Sequence, residues 1–370
     1  MKEIISVAPG RSCLFGDHQD YLGLPIIACA ISRHIKLHAV ENNENFFNIS
    51  KPDINKTRKI EIDFITSNMT VIGDHLMSVL KVVRKYNCIP DRGYDVEFTG
   101  NIPINAGTSS SSAVVIAWTN FLLEAFGCNK EVTPEFVSKI AYEAEVIEQN
   151  SSGGKMDQYS IGLGNIIYLE TGDDFSYERM KVRLPGLIIG ESGIPKNTEG
   201  LLKELKENSW LSILKVKEAD SNFDLKKAVK SDYNTYKNIL PDRLQPYFYA
   251  AVSNYDITKK AYKEFKKEEI DYHKIGRLMN EHHKILKDTL KITVPKIDAM
   301  IDAALNAGAY GAKIVGSGKG GSIVVLAPEG KEKEVVEGIM KAGAKDAYQV
   351  NVDPGARILT PQKKLNLKTY

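Results

Sequence analysis

The sequence predicts an α+β protein built from two packed domains. Its 370 residues exceed what one typical hydrophobic core accommodates. Segments with alternating apolar residues, which indicate strands, and segments with apolar residues at helical spacing occur in both halves of the chain. No linker rich in Pro, Gly or Ser separates the halves. We place the boundary before a strand-like run at 187–191 and expect domains at 1–186 and 187–370.

Strands and helices are expected to mix throughout both domains. In the first domain we expect strands at 3–7, 26–39, 46–64, 94–99 and 165–170 and helices at 73–85, 113–123 and 135–150. In the second we expect a strand at 187–191, a helical region at 198–290, a helix at 295–307, two strands within 311–326, a helix at 332–342 and a strand at 347–352. Such mixing is typical of an α+β fold.

Charge and hydropathy exclude several classes of protein. The net charge is +2, so the chain lacks the broad basic field with which proteins bind nucleic acid. No run of about eighteen apolar residues occurs and the first residues show no signal-peptide pattern, so we expect a cytoplasmic protein outside the membrane. The 4 cysteines are scattered, which predicts reduced, buried thiols rather than a zinc site. An anionic ligand must therefore be bound locally.

Residues 100–113 form a loop of small residues that ends in four serines, Ser109 to Ser112, and runs into an apolar helix. A helix that starts after a strand and a tight loop directs free backbone N–H groups and its positive dipole end to one point, which attracts phosphate. A serine hydroxyl there can also bind Mg²⁺. On this segment alone, a serine N-cap on an ordinary core helix stays open as the alternative.

A second polar segment, 8–23, carries Arg11, Asp17, His18, Asp20 and Tyr21 between glycines. We expect a turn-rich loop, because glycines and short polar residues alternate there. Two carboxylates and an imidazole supply donors and acceptors at fixed positions, as a polyhydroxylated ligand requires. A polar turn that caps its own backbone is the alternative.

Two further glycine-rich segments follow. Asp157 comes after Gly153 and Gly154, where we expect a loop that delivers its carboxylate into a cleft to accept or orient a substrate proton. Residues 316–321 formally match G-x-G-x-x-G, but they lead into a strand rather than a helix, which argues against a dinucleotide site. We expect a hairpin whose glycines permit close approach to another loop or a phosphate.

In their order along the chain, these loops resemble the three motifs of the GHMP small-molecule kinases. Residues 10–23 (Gly-Arg-Ser-Cys-Leu-Phe-Gly-Asp-His-Gln-Asp-Tyr-Leu-Gly) resemble the galactokinase signature, the serine loop resembles the phosphate loop, and 316–321 resemble the third motif, G-A-G-x-G-G. Residues 153–158 (Gly-Gly-Lys-Met-Asp-Gln) are similar to the galactokinase C-G-I-M-D-Q. The resemblance covers residues 5–326.

The resemblance implies a role for each matched position. Asp157 corresponds to the catalytic aspartate and Arg11 to the arginine that pairs with it. The other implied positions are Asp17, His18, Asp20 and Gly154 for the acceptor, Gly107, Ser109, Ser110, Ser111, Ser112 and Gly318 for the ATP phosphates, and Ser111 and Glu145 for Mg²⁺. The implied ligands are ATP, Mg²⁺ and a small-molecule sugar, and the oligomeric state is not implied.

The resemblance also implies a fold and an activity. The implied fold has an N-terminal domain like ribosomal S5 domain 2 and a C-terminal ferredoxin-like α/β sandwich. The implied activity is transfer of the γ-phosphoryl group of ATP to the anomeric (C1) hydroxyl of galactose or a galactose-like sugar. Two alternatives stay open: a kinase of the same fold for another acceptor, such as a uronic acid or mevalonate, and a catalytically silent sensor of sugar and ATP.

Some positions depart from the family pattern and affect the expected acceptor. Asp17 replaces a glutamate and is one carbon shorter, and Asn105 and Thr108 are departures that remain compatible with a tight turn. Lys155 replaces an aliphatic residue, which raises the hypothesis of an anionic acceptor such as a uronic acid; the alternative is that Lys155 points to solvent or pairs with a nearby acid. Residues 195–198 (Pro-Lys-Asn-Thr) resemble mevalonate-type members.

Overall fold

A computed structural model describes residues 2–62, 72–195 and 199–359. The strands are β1 (Glu3–Phe15), β2 (Ile26–Glu41), β3 (Phe46–Lys51), β4 (Lys56–Glu61), β5 (Tyr94–Gly100), β6 (Ile166–Glu170), β7 (Ser176–Met180), β8 (Gly186–Glu191), β9 (Gly311–Val315), β10 (Ser322–Ala327), β11 (Asp346–Val350) and β12 (Arg357–Ile358). The helices are α1 (His75–Arg84), α2 (Ser110–Phe126), α3 (Pro134–Tyr142), α4 (Met156–Leu163), α5 (Glu199–Ala219), α6 (Asp232–Tyr236), α7 (Gln245–Phe265), α8 (Tyr272–Lys284), α9 (Pro295–Asn306) and α10 (Glu332–Lys341).

The first sheet is organised around the long strand β2. In the described residues its order is β12-β1-β2-β5-β3-β4, with β6 paired to the start of β2 and β7 paired to β6. All pairs are antiparallel except β3 with β5. The apolar helix α2 packs across β1 and β2, and its Trp118 ring lies 5.2 Å from the ring of Phe47. Burial of each such side chain contributes roughly 1.5–3 kcal/mol, which anchors the start of α2 against the sheet.

The second sheet is antiparallel in the order β11-β8-β10-β9. Its first and third strands in the chain, β8 and β10, lie in the centre, and the helical region from α5 to α9 connects β8 to β9. This is the ferredoxin-like arrangement. The predicted α+β fold with two sheets is therefore confirmed.

Several predicted elements differ from the structure. Strand β1 continues to Phe15 rather than ending at 7, because residues 10–15 pair with β2 through two register shifts. Arg11 therefore lies in a strand and not in a turn-rich loop. The helix expected at 135–150 changes to a π-helical turn at Glu143–Ile147. Positions 63–64 of an expected strand, and 196–198, lie outside the described residues.

The division of the chain at residue 187 stays a prediction. The second sheet begins at Gly186, yet β12 returns to the first sheet, where Ser6 faces Ile358. Asp353 holds this segment in place, since it accepts hydrogen bonds from His34 Nε2 at 2.7 Å and from Arg357 at 2.8 Å. The end of the described chain thus packs with the first half.

Two further expectations concern the burial of the cysteine side chains and the hydropathy of the helices. Cys13, Cys29 and Cys88 are buried free thiols, and Cys128 is a partly exposed one. Across the ranges 2–62, 72–195 and 199–359, no helix combines the length and the apolar character that crossing a bilayer requires.

Candidate active site

A cavity of about 650 Å³ lies where the phosphate loop, α4 and the β9–β10 hairpin meet. Most of the site residues expected from the sequence line it: Arg11, Asp17, His18, Asp20, Gly107, Ser109, Ser110, Ser111, Ser112, Glu145, Gly154 and Asp157. The fold thus brings together residues that are up to 146 positions apart, such as Arg11 and Asp157. A concave pocket with several convergent polar groups is the usual form of a small-molecule site.

The Asp157 carboxylate lines this cavity and is held there by contacts that include Arg11 and Ser109. Arg11 Nε donates to Asp157 Oδ1 at 2.8 Å, and Arg11 Nη2 lies 2.7 Å from the same oxygen in an ion pair. The Ser109 hydroxyl donates to Asp157 Oδ2 at 2.6 Å. Burial opposes the charge of Arg11, but the Asp157 carboxylate outweighs it and raises the pKa of Arg11 above its usual value. Arg11 also donates to the carbonyl of Gly107, so it links the carboxylate to the phosphate loop.

Asp157 belongs to a helix and not to the loop expected from the sequence. It is the second residue of α4, which begins at Met156, two residues after Gly154. Met156, Tyr159 and Leu163 are buried on this helix and pack it against the core of the molecule. A carboxylate in the first turn is favoured by the helix dipole, and a packed helix holds it more rigidly than a loop would.

The serine loop has the geometry expected of an anion site. Gly107 and Ser109 both adopt left-handed backbone conformations, with φ values of 89° and 60°, which close a tight turn before α2. The first intrahelical bond runs from the Ala113 N–H to the Ser109 carbonyl at 3.0 Å. The N–H groups of Ser110, Ser111 and Ser112 therefore have no partner within the helix. Because the Ser109 hydroxyl donates to Asp157, only the backbone of Ser109 is left to bind a phosphate.

Two side chains with oxygen atoms, Ser111 and Glu145, contact each other at this helix start. Ser111 Oγ donates to Glu145 Oε1 at 2.8 Å, and Gln158 Nε2 donates to Glu145 Oε2 at 2.7 Å. The π-helical turn sets Glu145 toward the cavity, while Glu143 accepts a hydrogen bond from the Tyr86 hydroxyl outside it. A hydroxyl and one carboxylate beside a phosphate site suit Mg²⁺, which prefers oxygen ligands and a few protein groups. No cluster of three or more His, Cys, Asp or Glu side chains fit for a metal occurs among the described residues.

Asp20 faces Asp157 across the cavity. Burial raises the pKa of Asp20 to about 6, and the negative charge of Asp157 adds to this effect. Gly154 is required beside it, since a Cβ at that position would lie 2.2 Å from Asp20 Oδ2. His18 Nδ1 lies 3.3 Å from the Tyr21 hydroxyl. Asp20 and His18 together form a polar wall that can bind hydroxyl groups.

Asp17 has a different environment from the other acceptor-site residues. It is 1% exposed, and its two oxygens bind Lys313 Nζ at 2.5 Å and the Gly316 N–H at 2.8 Å. Burial by itself would raise the pKa of Asp17, but the Lys313 ammonium holds it well below its usual value. Lys313 was not identified from the sequence. The available signal was a lysine within a strand that is otherwise apolar.

Two positions singled out from the sequence, Lys155 and Gly318, are absent from the lining of the main cavity. Lys155 does not line the main cavity: its ammonium donates to the Gly172 carbonyl at 3.0 Å, and the side chain lines a separate cleft beside Phe175. Gly318 packs closely on Ile292, since a Cβ at that position would lie 2.6 Å from the Ile292 carbonyl oxygen. Gly316 and Ser317 take its place in the lining.

Comparison with known proteins agrees with this geometry. Three family models match this chain. The model of the GHMP kinases N terminal domain matches residues 74–165, that of the GHMP kinases C terminal matches residues 261–345, and the galactokinase galactose-binding signature matches residues 1–39. The chain belongs to the GHMP kinase family. Membership of this family implies an ATP-dependent kinase.

Relatives of this GHMP kinase differ in their acceptors. The mevalonate kinase of Thermococcus sibiricus is 28% identical, with 92% of this chain and 93% of that protein covered. The galactokinase of Bacillus subtilis is 26% identical over 95% of this chain and 93% of that protein. The structure is similar to that of Lactococcus lactis galactokinase complexed with galactose, with a TM-score of 0.84 at 20% identity over 96% and 95% of the two chains. Family membership alone therefore leaves the acceptor undetermined.

Proposed function

We propose that this GHMP kinase transfers the γ-phosphoryl group of ATP to the anomeric hydroxyl of galactose or a galactose-like sugar. The observation that carries the proposal is the position of Asp157, which lies between Arg11 and Ser109 at the start of the phosphate-binding helix. A hydroxyl bound there is next to both a carboxylate and an anion site. This arrangement serves in-line phosphoryl transfer.

Each residue has a distinct part in the proposed step. The acceptor oxygen forms a bond to the γ-phosphorus while the bond between that phosphorus and the ADP oxygen breaks, and the hydroxyl proton passes to Asp157. Arg11 holds Asp157 and adds positive charge beside the transferred group. The N–H groups of Ser110 to Ser112 bind phosphate oxygens. Mg²⁺, held by Ser111 and Glu145, would neutralise phosphate charge.

A neutral sugar fits the acceptor side of the cavity better than a carboxylate such as mevalonate. Asp20 and Asp157 line this side, where burial and, after it, repulsion from Asp157 already raise the pKa of Asp20. A substrate carboxylate would add a third negative charge, whereas sugar hydroxyls donate to these carboxylates. The match of residues 1–39 to the galactose-binding signature supports the same choice. Lys155, which the sequence offered as a partner for a uronic acid, lies beside the other cleft.

The silent-sensor alternative is less consistent with the site. Binding a sugar and ATP without transfer does not require a carboxylate held by both Arg11 and Ser109. It also does not require the Ser111–Glu145 pair at the phosphate site. The residues that we assign to the transfer, Arg11, Ser109, Ser111, Glu145 and Asp157, line one cavity, which supports the kinase proposal.

The test is Mg²⁺-dependent ATP consumption across galactose, galacturonate, glucuronate, arabinose, N-acetylgalactosamine and mevalonate, with Asp157→Ala measured beside the wild type. We expect turnover with galactose or a related neutral sugar and a loss of about a hundredfold or more in Asp157→Ala. Asp302→Ala, an exposed aspartate on α9, is the matched control and should retain full turnover. Turnover with mevalonate alone would overturn the sugar assignment, and sugar binding without any turnover would favour a sensor.

A further inference from the structure

Lys313 connects the second sheet to the segment that carries the acceptor-site residues. It lies on β9, and its side chain is completely buried. Its ammonium donates to the carbonyl of Cys13 at 3.1 Å, the carboxylate of Asp17 at 2.5 Å and the carbonyl of Ile314 at 2.9 Å. An ammonium has three donors, so all of them are used. The contacts join β9 to the end of β1, 300 residues earlier in the chain.

Asp17 is likewise fully engaged by the second half of the molecule. One oxygen binds Lys313, and the other accepts the Gly316 N–H at 2.8 Å, at the start of the glycine hairpin. Because the pair is buried and each charge has hydrogen-bonded partners, loss of one partner would leave a buried charge unpaired. The side chain of Asp17 is therefore held in one position by β9 and the hairpin together.

The backbone on both sides of Asp17 needs such a restraint. We call residues 16–23 the acceptor loop. Gly16 has φ of 99° and packs closely on Ile26, and His18 has φ of 63°, an unusual value for a residue with a side chain. A left-handed non-glycine residue persists only where surrounding contacts hold it in place. Asp17 lies between these two residues and provides the contacts.

We propose that Lys313 is a positioning residue that orients His18 and Asp20 by holding Asp17, and that Asp17 anchors the acceptor loop instead of binding the acceptor. The proposal rests on the proposed function in that the acceptor is taken to bind at His18 and Asp20. It gives the shorter aspartate at position 17 a physical reason, because Asp17 reaches Lys313 and Gly316 with both oxygens. Acceptor recognition then depends on a residue of the second sheet that lies outside the lining of the cavity.

The experiment compares Lys313→Met, Asp17→Asn and the double variant with wild type. Amide hydrogen exchange across residues 16–23 is measured without ligand, and KM is measured separately for the acceptor and for MgATP. We expect faster exchange in all three variants and an acceptor KM raised by about ten- to a hundredfold, with the KM for MgATP within about twofold of wild type. The double variant should be no worse than either single variant, because all three break the same link.

Lys287→Met is the matched control, since Lys287 forms a partly exposed ion pair with Asp298 at 3.2 Å and should change neither exchange nor KM. If Lys313→Met does not fold, the double variant is compared with wild type instead, because it removes both charges of the pair and leaves neither one unpaired. Unchanged exchange and acceptor KM in a folded variant that lacks Lys313 would overturn the proposal. So would a raised acceptor KM in Asp17→Asn alone, because Asp17 would then bind the acceptor directly. The exchange measurement needs no acceptor, so it stands even if the sugar assignment fails.

Discussion

The Ser109 hydroxyl donates a 2.6 Å hydrogen bond to Oδ2 of Asp157. Ser109 is the residue before helix α2, and Asp157 is in the first turn of α4. The two helix starts are thus joined through this side-chain contact. In the proposed function, this contact fixes the group that orients the acceptor relative to the loop that binds the phosphates.

Loss of the Ser109 hydroxyl should reduce turnover more than nucleotide binding. In Ser109→Ala the Asp157 carboxylate keeps Arg11 but loses its second partner, and we expect kcat to fall by about ten- to a hundredfold with a small change in the KM for MgATP. Ser109→Gly removes the same hydroxyl and also relieves the left-handed backbone. Both variants should lose turnover equally; full activity in Ser109→Gly would assign the effect to the backbone.

A methyl group at Gly154 should weaken acceptor binding. The added Cβ would lie 2.2 Å from Asp20 Oδ2, so Gly154→Ala must displace the carboxylate that we assign to the acceptor. We expect the acceptor KM to rise by about tenfold or more. Gly153→Ala is the control, because its Cβ would meet only ordinary contacts, the nearest at 3.7 Å. Steady-state kinetics of the two variants measure this KM. An equal rise in the acceptor KM for both variants would contradict the assignment of Asp20 to the acceptor.

Asp20 should make stability depend on pH in a predictable direction. Its pKa is raised from 3.8 to about 6 in the folded protein, so ionisation opposes folding above that range. Asp20→Asn should therefore increase the free energy of unfolding by about 1 to 3 kcal/mol near pH 8. The gain should shrink as the pH falls from about 6 and vanish below about 4, where the carboxyl is protonated in both states.

Urea unfolding at several pH values measures the effect of Asp20→Asn. Asp302→Asn, at an exposed position on α9, is the control and should show no such trend. If the difference in the free energy of unfolding between Asp20→Asn and wild type stays constant from about pH 4 to about pH 8, the pKa of the Asp20 carboxyl is not raised by folding.

Mg²⁺ dependence should identify the Ser111–Glu145 pair as the metal site. Ser111→Ala and Glu145→Gln each remove one oxygen ligand, and we expect the half-saturating Mg²⁺ concentration for turnover to rise by about tenfold or more. Glu143→Gln on the same π-helical turn is the control, because Glu143 binds the Tyr86 hydroxyl outside the cavity. Chelation of the metal should abolish turnover in every variant. An unchanged Mg²⁺ requirement in Glu145→Gln would place the metal elsewhere.

The sequence by itself predicted the α+β class and the phosphate loop, because both depend on local patterns. Apolar periodicity marked β2, α1 and α9, and the small residues before Ala113 marked the start of α2. These signals are contained in short segments, where backbone preference and the burial of one face act together. The family resemblance then paired Arg11 with Asp157 and assigned Ser109 to the phosphate loop, but it gave no sign of the contact between Ser109 and Asp157.

Only the tertiary structure decided which side chains contact one another and which lie outside the cavity. Asp157 lies in α4 because Met156 and Leu163 are buried in a core formed by distant parts of the chain. The partners of Asp17 and Lys155 are set by packing between segments, and a sequence pattern carries no information about the neighbour across such a contact. The Asp17–Lys313 pair spans 296 positions. Contacts of this kind arise from the fold as a whole, so the motif residues were predictable while their anchors were not.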